Sequence, residues 1–249
     1  MYKVEIIPLM NQRKANYGVD APNIIRNLFL CSLSLLIASI FSFRIQTSLW
    51  FWLVFLYSFP TFLALFGTGC WMLYGIKISK PKIVSKMIQN LKLAGNEEVL
   101  DLGCGRGLLL CEIAKCLPNG KAHGIDLWSA KDQSGNRLEK TLENVDREGL
   151  KERVTIHTGD VRSLPFPDNA FDAVVSSLCL HNIEEKKGRE KALLEMLRTL
   201  KSGGKFIIAD IQRAKEYTEF LIAQGITVRC SKPNYSYCPP LTILEGRKP

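Results

Sequence analysis

Charge is missing from two long stretches of this chain. No Asp, Glu, Lys or Arg occurs from Asn27 to Phe43, and none from Ile45 to Ile76, whereas the rest has an ordinary soluble composition. The eight cysteines (31, 70, 104, 111, 116, 179, 230, 238) include no CxxC pair, and there are only three histidines. That spacing excludes a zinc ribbon or finger, so no metal is expected, and buried free thiols in a reducing compartment are the reading. Basic residues interleaved with aromatics, the pattern of single-strand nucleic-acid binders, are also lacking. The net charge of +9 divides into +4 over residues 1–79 and +5 beyond. Lys80, Lys82, Lys86 and Lys92 crowd just after the second apolar run, which suits anionic lipid headgroups better than nucleic acid.

What is present begins with those runs. The first, 27–43, is short for a membrane span. The second, 49–76, is long enough to cross about 30 Å of hydrocarbon with tilt to spare. Pro60 falls in its middle and should kink it, while Trp50, Trp52, Trp71 and Tyr74 lie near the ends, where interfacial aromatics belong. Lys3, Arg13, Lys14 and Arg26 precede the first run, Lys77, Lys80, Lys82 and Lys86 follow the second, and only Arg44 lies between. The positive-inside rule then places both ends in the cytoplasm. A signal peptide would begin earlier and end in a small-residue cleavage site. The expected organisation is a cytoplasmic segment (1–26), a transmembrane hairpin (27–76) and a soluble domain (77–249). A buried hairpin of a soluble oligomer and a half-inserted monotopic hairpin are the alternatives.

The soluble domain alternates strands and helices. Pro81 opens an amphipathic helix with Ile83, Val84, Met87, Ile88 and Leu91 at helical spacing. EVLDLGCGRG (98–107) is a buried strand running into glycines, followed by the apolar helix 108–117. That order brings backbone against a ligand at the carboxyl end of a parallel sheet. A dinucleotide fingerprint GxGxxG fails here, because Leu108 stands where its third glycine should be. The pattern is instead Asp101-x-Gly103-x-Gly105-x-Gly107. An acid leading the glycines suits a ligand with an ammonium and a sulfonium better than a pyrophosphate. KAHGIDL (121–127) ends its strand in Asp126, a carboxylate placed for ribose hydroxyls. VTIHTGD (154–160) ends in Asp160, placed to accept from an adenine amino group. A Pro-rich turn and fourth strand (164–177) follow, then a helix (188–200) with Leu193, Leu194, Leu197 and Leu200 on one face. Gly203-Gly204 turns it into KFIIADI (205–211). A helix (214–224) and two closing strands end the chain.

In VLDLGCGRG, GID, TGD, LPFPDNAFDAVVSS, LKSGGKFIIAD and the terminal RKP, taken in that order, the chain resembles class I S-adenosylmethionine (SAM) dependent methyltransferases. The likeness spans about residues 81–249. It is greatest to the type 11-like subgroup with the quinone-biosynthesis and sterol-type small-molecule enzymes. The resemblance implies an α/β, Rossmann-like seven-stranded sheet with an antiparallel last strand and helices on both faces, here preceded by two transmembrane helices. It implies SAM as cofactor, with Asp101, Gly103 and Gly105 at the methionine moiety, Asp126 at the ribose, and Leu127, Asp160 and Val161 at the adenine. Gly107 and Ser177 complete the expected cofactor set.

One departure stands out. WSAKDQSGN (128–136) exceeds the family's usual length after Asp126. Trp128, Asp132 and Gln133 are candidates to cover the cofactor; the alternative is a polar surface loop with a helix starting at Ser134. A subset of bacterial members resembles this chain both there and at YGVDAP (17–22), which implies no substrate. After the fourth strand, Ser176 to Asn182 is the expected substrate-facing stretch, and it lacks the Asn/Asp-Pro-Pro-aromatic motif of many amino-group methyltransferases. His181 is the candidate general base or substrate ligand, or else a histidine that orders the loop. Nothing basic beside Cys179 marks it as a nucleophile.

The few residues between the second run and the domain hold the domain against the bilayer. The expected acceptor is therefore a small molecule or lipid-like compound that partitions there. A soluble metabolite or protein acceptor, a non-catalytic SAM-binding scaffold and an NAD-linked dehydrogenase are the competing readings.

Overall fold

A computed structural model describes residues 15–45, 49–129 and 133–249. Lys3, Arg13, Lys14 and Asp132, singled out above, lie outside the described residues, as does the Trp50 side chain.

The two uncharged stretches form a helical hairpin. Helix α1 is Pro22–Ser42 and α2 is Leu49–Tyr74. The first thus starts five residues earlier than the charge pattern suggested, because Pro22 is pre-organised for a first helical turn and Arg26 is accommodated within it. At 1.5 Å per residue both reach about 30 Å or more. Only 17% of the most apolar window of the first and 11% of that of the second are buried. These are therefore not core helices of the fold. They contact through small residues: Ser39 and Ser58 share a buried hydroxyl hydrogen bond of 2.6 Å, and Gly69 lets the Phe29 ring approach closely.

The second helix does not end where the apolar run ends. It passes through a π-helical turn, Gly75–Ser79, directly into α3, Lys80–Leu91. Pro81 lies in the first turn of α3, as expected, but α3 follows α2 through the π turn without a break. The base of the hairpin is welded to the domain. Ile25, Met72 and Ile76 are buried in one cluster with Ile83, Val84, Met87, Tyr237 and Leu241. Trp71 Nε1 donates to the Tyr235 carbonyl at 3.1 Å.

The domain is a seven-stranded sheet in the order β3-β2-β1-β4-β5-β7-β6. Its strands are β1 Glu98–Leu102, β2 Lys121–Asp126, β3 Val154–Thr158, β4 Phe171–Ser177, β5 Leu200–Asp210, β6 Thr227–Cys230 and β7 Thr242–Arg247. β1 to β5 pair in parallel and β7 runs antiparallel to both neighbours. Helices α4 Leu108–Lys115, α5 Leu138–Arg147, α6 Lys186–Thr199 and α7 Ala214–Ala223 complete the fold. Two hydrophobic clusters cover the sheet's two faces.

Three expectations need correcting. The insertion does not start a helix at Ser134, since α5 begins at Leu138. Strand β5 begins already at Leu200 and runs through Gly203-Gly204, with a register irregularity opposite Phe171 and Ala173. On α6 the buried face is Ala192, Leu193 and Met196, while Leu194 is exposed, because the helix turns its apolar stripe about one position from the leucine spacing.

Candidate cofactor and acceptor site

β1 lies between β2 and β4, so the chain reverses direction across the sheet at its carboxyl end, the crevice where α/β folds place ligands. The turn after β1 is built from backbone. Gly103 and Cys104 both donate to the Ile125 carbonyl, at 2.8 and 3.2 Å. Gly103 and Gly105 have positive φ (71° and 50°), and each is approached so closely that no Cβ fits. A Cβ on Gly103 would stand 2.3 Å from Cys179 Sγ, and one on Gly105 would stand 2.6 Å from Gln133 Oε1. Gly107, also expected at the cofactor, precedes α4 and faces Thr141 and Cys111. Its role is to let the helix start close to α5.

Two carboxylates flank this turn. Asp126, at the tip of β2, accepts from Gly105 N at 2.8 Å, Trp128 N at 2.6 Å and Asn136 Nδ2 at 3.1 Å. Asp101 is buried, and its Oδ2 has no hydrogen-bond partner. Burial, with the Asp126 carboxylate adding to it and Lys80 opposing, pushes the Asp101 carboxyl up to about 8. An orphaned buried carboxyl is costly unless a donor arrives. A ligand ammonium is such a donor. The site therefore fits SAM at both ends that these carboxylates face: an amino-acid moiety at Asp101 and the glycines, and a ribose at Asp126.

At the third strand, Asp160, expected at the adenine, is paired with Arg162. Arg162 grips it with three side-chain contacts of 2.6 to 3.0 Å and a backbone N–H at 2.8 Å, because the tight turn after β3 folds the guanidinium back onto it. Those bonds hold its carboxyl below the usual range. Val161 is buried and Leu127 exposed on the rim. Trp128 spans the same end, its Nε1 donating to Thr158 Oγ1 at 2.8 Å. Ser177 is half-buried at the end of β4, and Leu178 after it takes φ 59°.

His181 sits in a single 3₁₀ turn, Leu180–Asn182, with Nδ1 2.5 Å from Oδ1 of Asp210, the buried last residue of β5. The His181 N–H donates to the other carboxylate oxygen at 3.1 Å. Asp210 therefore fixes the turn through the backbone N–H, while the ring nitrogen beside it lies within ion-pair distance but makes no hydrogen bond. The turn is braced from below by Arg189, whose guanidinium holds Glu216 and the carbonyls of Ile183 and Glu184. Burial pushes the Cys179 thiol well up, the opposite of what a nucleophile needs. All eight cysteines are free, and among the described residues no three His, Cys, Asp or Glu gather as a metal site.

Sequence reasoning missed several residues. Asp210 carried a signal, since it ends its strand as Asp126 and Asp160 end theirs or follow them. Asn144 and Thr141 bond backbone of the glycine turn from inside α5, and their polar pair on a buried helix face was legible in retrospect. Asp20, Lys80 and Tyr237 converge from three distant segments and carried none.

Residues 99–204 match the family model described as Methyltransferase domain. A demethylmenaquinone methyltransferase of Symbiobacterium thermophilum is 32% identical over 126 residues, 50% of this chain and 46% of that protein. A ubiquinone/menaquinone biosynthesis C-methyltransferase of Vibrio cholerae is 31% identical over 117 residues, covering 47% and 42%. The chain thus spans about half the length of the curated relatives it matches. Among solved structures, a SAM-dependent methyltransferase from Aquifex aeolicus superposes with a TM-score of 0.54 at 22% identity, over 68% of this chain and 97% of that one. The cyclase SpnF superposes at 0.59 and 21% identity, over 68% and 80%. Residues 99–204 thus form a methyltransferase domain, and its motif order and sheet order are similar to those of class I SAM-dependent methyltransferases.

Proposed function

We propose that this chain is a membrane-anchored methyltransferase that moves a methyl group from SAM to a small, lipophilic acceptor. The observation that carries the reading is the orphaned, buried Asp101 carboxyl under a glycine turn that admits no side chain. SAM supplies an already activated methyl on a sulfonium, so the protein's task is alignment and water exclusion more than covalent chemistry. Asp101 would hold the ammonium and Asp126 the ribose hydroxyls, exchanging its present backbone partners for them. Gly103 and Cys179 close the floor, and His181, its backbone held by Asp210, would orient an acceptor or take its proton where the acceptor carries one. Gln133 would lie over the glycine turn, and Asp160, paired with Arg162 on the surface, would stand at the adenine.

The lipophilic acceptor rests on the anchor. The continuous helix from α2 through the π turn to α3 leaves no flexible tether, and the hairpin base shares the domain's core. A domain held so rigidly to two exposed apolar helices meets compounds dissolved in a bilayer. The demethylmenaquinone for which the Symbiobacterium relative is named is of that kind. Lys77, Lys82 and Lys86 beside the helix exit would favour an anionic cytoplasmic leaflet. A second reading, SAM binding without methyl transfer, is favoured by one finding: the same fold serves a cyclase.

The test is calorimetric titration of the solubilised full-length protein with SAM, S-adenosylhomocysteine and NAD, followed by labelled methyl transfer in vesicles loaded with lipid extract. Micromolar binding of the first two, lost in Asp126→Ala, with label entering the lipid fraction, is expected. Label entering only soluble metabolites would overturn the acceptor class, and binding without transfer to any fraction would favour the second reading.

A further inference from the structure

Two segments that the sequence singled out, YGVDAP and the end of the insertion after β2 (133–136), meet in space. Residues 15–21 run as an extended strap alongside residues 133–136. Asp20 and Gln133 form an antiparallel bridge, Ser134 N donates to the Val19 carbonyl at 3.0 Å, and Val19 N donates to Ser134 Oγ at 2.9 Å. The far end of the strap is pinned to α5, where Asn16 and Asn144 exchange two hydrogen bonds and Tyr17 donates to Glu148. Strap and residues 133–136 together lie over the glycine turn. Gln133 Oε1 accepts from Arg106 N at 3.0 Å and presses on Gly105, while its Nε2 donates to the Tyr17 carbonyl and to Asp20 Oδ1. Arg106 in turn reaches the Ser134 carbonyl.

What fastens this cover is Asp20. Its Oδ2 accepts from Lys80 Nζ at 2.7 Å and from Tyr237 Oη at 2.9 Å, and both Asp20 and Lys80 are largely shielded from solvent. Lys80 opens α3 at the foot of the membrane hairpin, and Tyr237 belongs to the loop before β7 that rests on α2. The strap itself leads straight into Pro22, the first residue of α1. One carboxylate therefore ties the hairpin's two ends and the domain's last loop to the side chain that touches the cofactor turn.

We propose that Asp20 is a positioning residue for the cofactor: through Gln133 it holds the strap and residues 133–136 as a cover on the glycine turn, and its bonds to Lys80 and Tyr237 must yield when cofactor and product exchange. This rests on the cofactor reading above. The geometry carries a direct consequence. Charge-assisted bonds shielded from water are the strong ones in a protein, so a cover closed by two of them opens rarely. Asp20→Asn keeps the size of the side chain but removes the charge, and Tyr237→Phe removes one donor alone.

The experiment measures release of S-adenosylhomocysteine from the full-length protein in nanodiscs by competition stopped flow. Amide hydrogen exchange at Val19 and Ser134 is followed alongside. Release about tenfold faster in Asp20→Asn is expected, equivalent to about 1.4 kcal/mol. Faster exchange at both amides, a smaller change in Tyr237→Phe and substantial recovery in Asp20→Glu should accompany it. A purely structural role would lower the melting temperature without changing release. Unchanged release in Tyr237→Phe and Asp20→Asn, with wild type binding S-adenosylhomocysteine normally, overturns the proposal alone. If wild type binds no S-adenosylhomocysteine, the cofactor reading falls and the proposal with it. Should Asp20→Asn fail to fold, Tyr237→Phe decides by the same readouts.

Discussion

Replacing Asp101 by Asn should make the protein more stable and a poorer binder at once. In the fold the Asp101 carboxyl is raised from 3.8 to about 8, chiefly by burial and secondarily by the Asp126 carboxylate, with Lys80 opposing. At pH 7 the unfolded chain therefore carries Asp101 ionised while the folded chain holds it protonated. A group whose folded value is raised in this direction costs stability as pH climbs through the window, from about 4 to about 8. At about 1.4 kcal/mol per pH unit the cost at pH 7 is about 4 kcal/mol. Asn has the same shape and no charge to bury, but leaves a buried amide short of partners, which costs about 2 kcal/mol. The balance is a gain of about 2 kcal/mol, or roughly 4–8 °C in melting temperature for a domain of this size. The gain should shrink as pH falls toward 4.

The same variant should lose roughly 10–100-fold in S-adenosylhomocysteine affinity, the worth of a hydrogen bond to a charged group. In wild type, binding an ammonium beside a protonated Asp101 must expel that proton. Calorimetric titration at pH 7 in buffers of different ionisation enthalpy should therefore show close to one proton released, and affinity should rise with pH up to about 8. Asp101→Asn should release none. Lower stability in Asp101→Asn together with unaltered binding would refute both the burial argument and the assignment of Asp101 to the ligand.

Gly103→Ala places a Cβ 2.3 Å from Cys179 Sγ at a φ of 71° and should cost about 3 kcal/mol by thermal melting. Part of that should return when Cys179→Ala is added, and full additivity would contradict the contact. Arg189→Met removes a buried guanidinium from Glu216 and two carbonyls, and should destabilise by about 3 kcal/mol while loosening the turn that carries His181. Hydrogen exchange at residues 180–183 reads the second effect. Alkaline carbonate washing should leave the chain in the membrane pellet; quantitative release would rule out the spanning hairpin.

The sequence determined the class of this protein because its signals are local. A strand running into DLGCGRG requires backbone at a ligand, since only glycine tolerates the positive φ and close approaches at 103 and 105, and that requirement is readable without coordinates. Two charge-free runs likewise announce two long apolar helices, which the structure pairs and leaves largely exposed. Tertiary structure decided what depends on which distant residues meet. Asp126 and Asp160 look alike as strand-end acids, yet one faces the glycine turn and the other is paired with Arg162 two positions on. His181 reads as a lone histidine until β5 brings Asp210 beside it. Most of all, YGVDAP and the insertion stand more than a hundred residues apart in sequence. Their pairing, and the clasp of Asp20 by Lys80 and Tyr237, exist only because the hairpin returns the chain to the carboxyl edge of the sheet. Composition and periodicity report on a residue's neighbours along the chain, whereas burial and charge partners are properties of the fold.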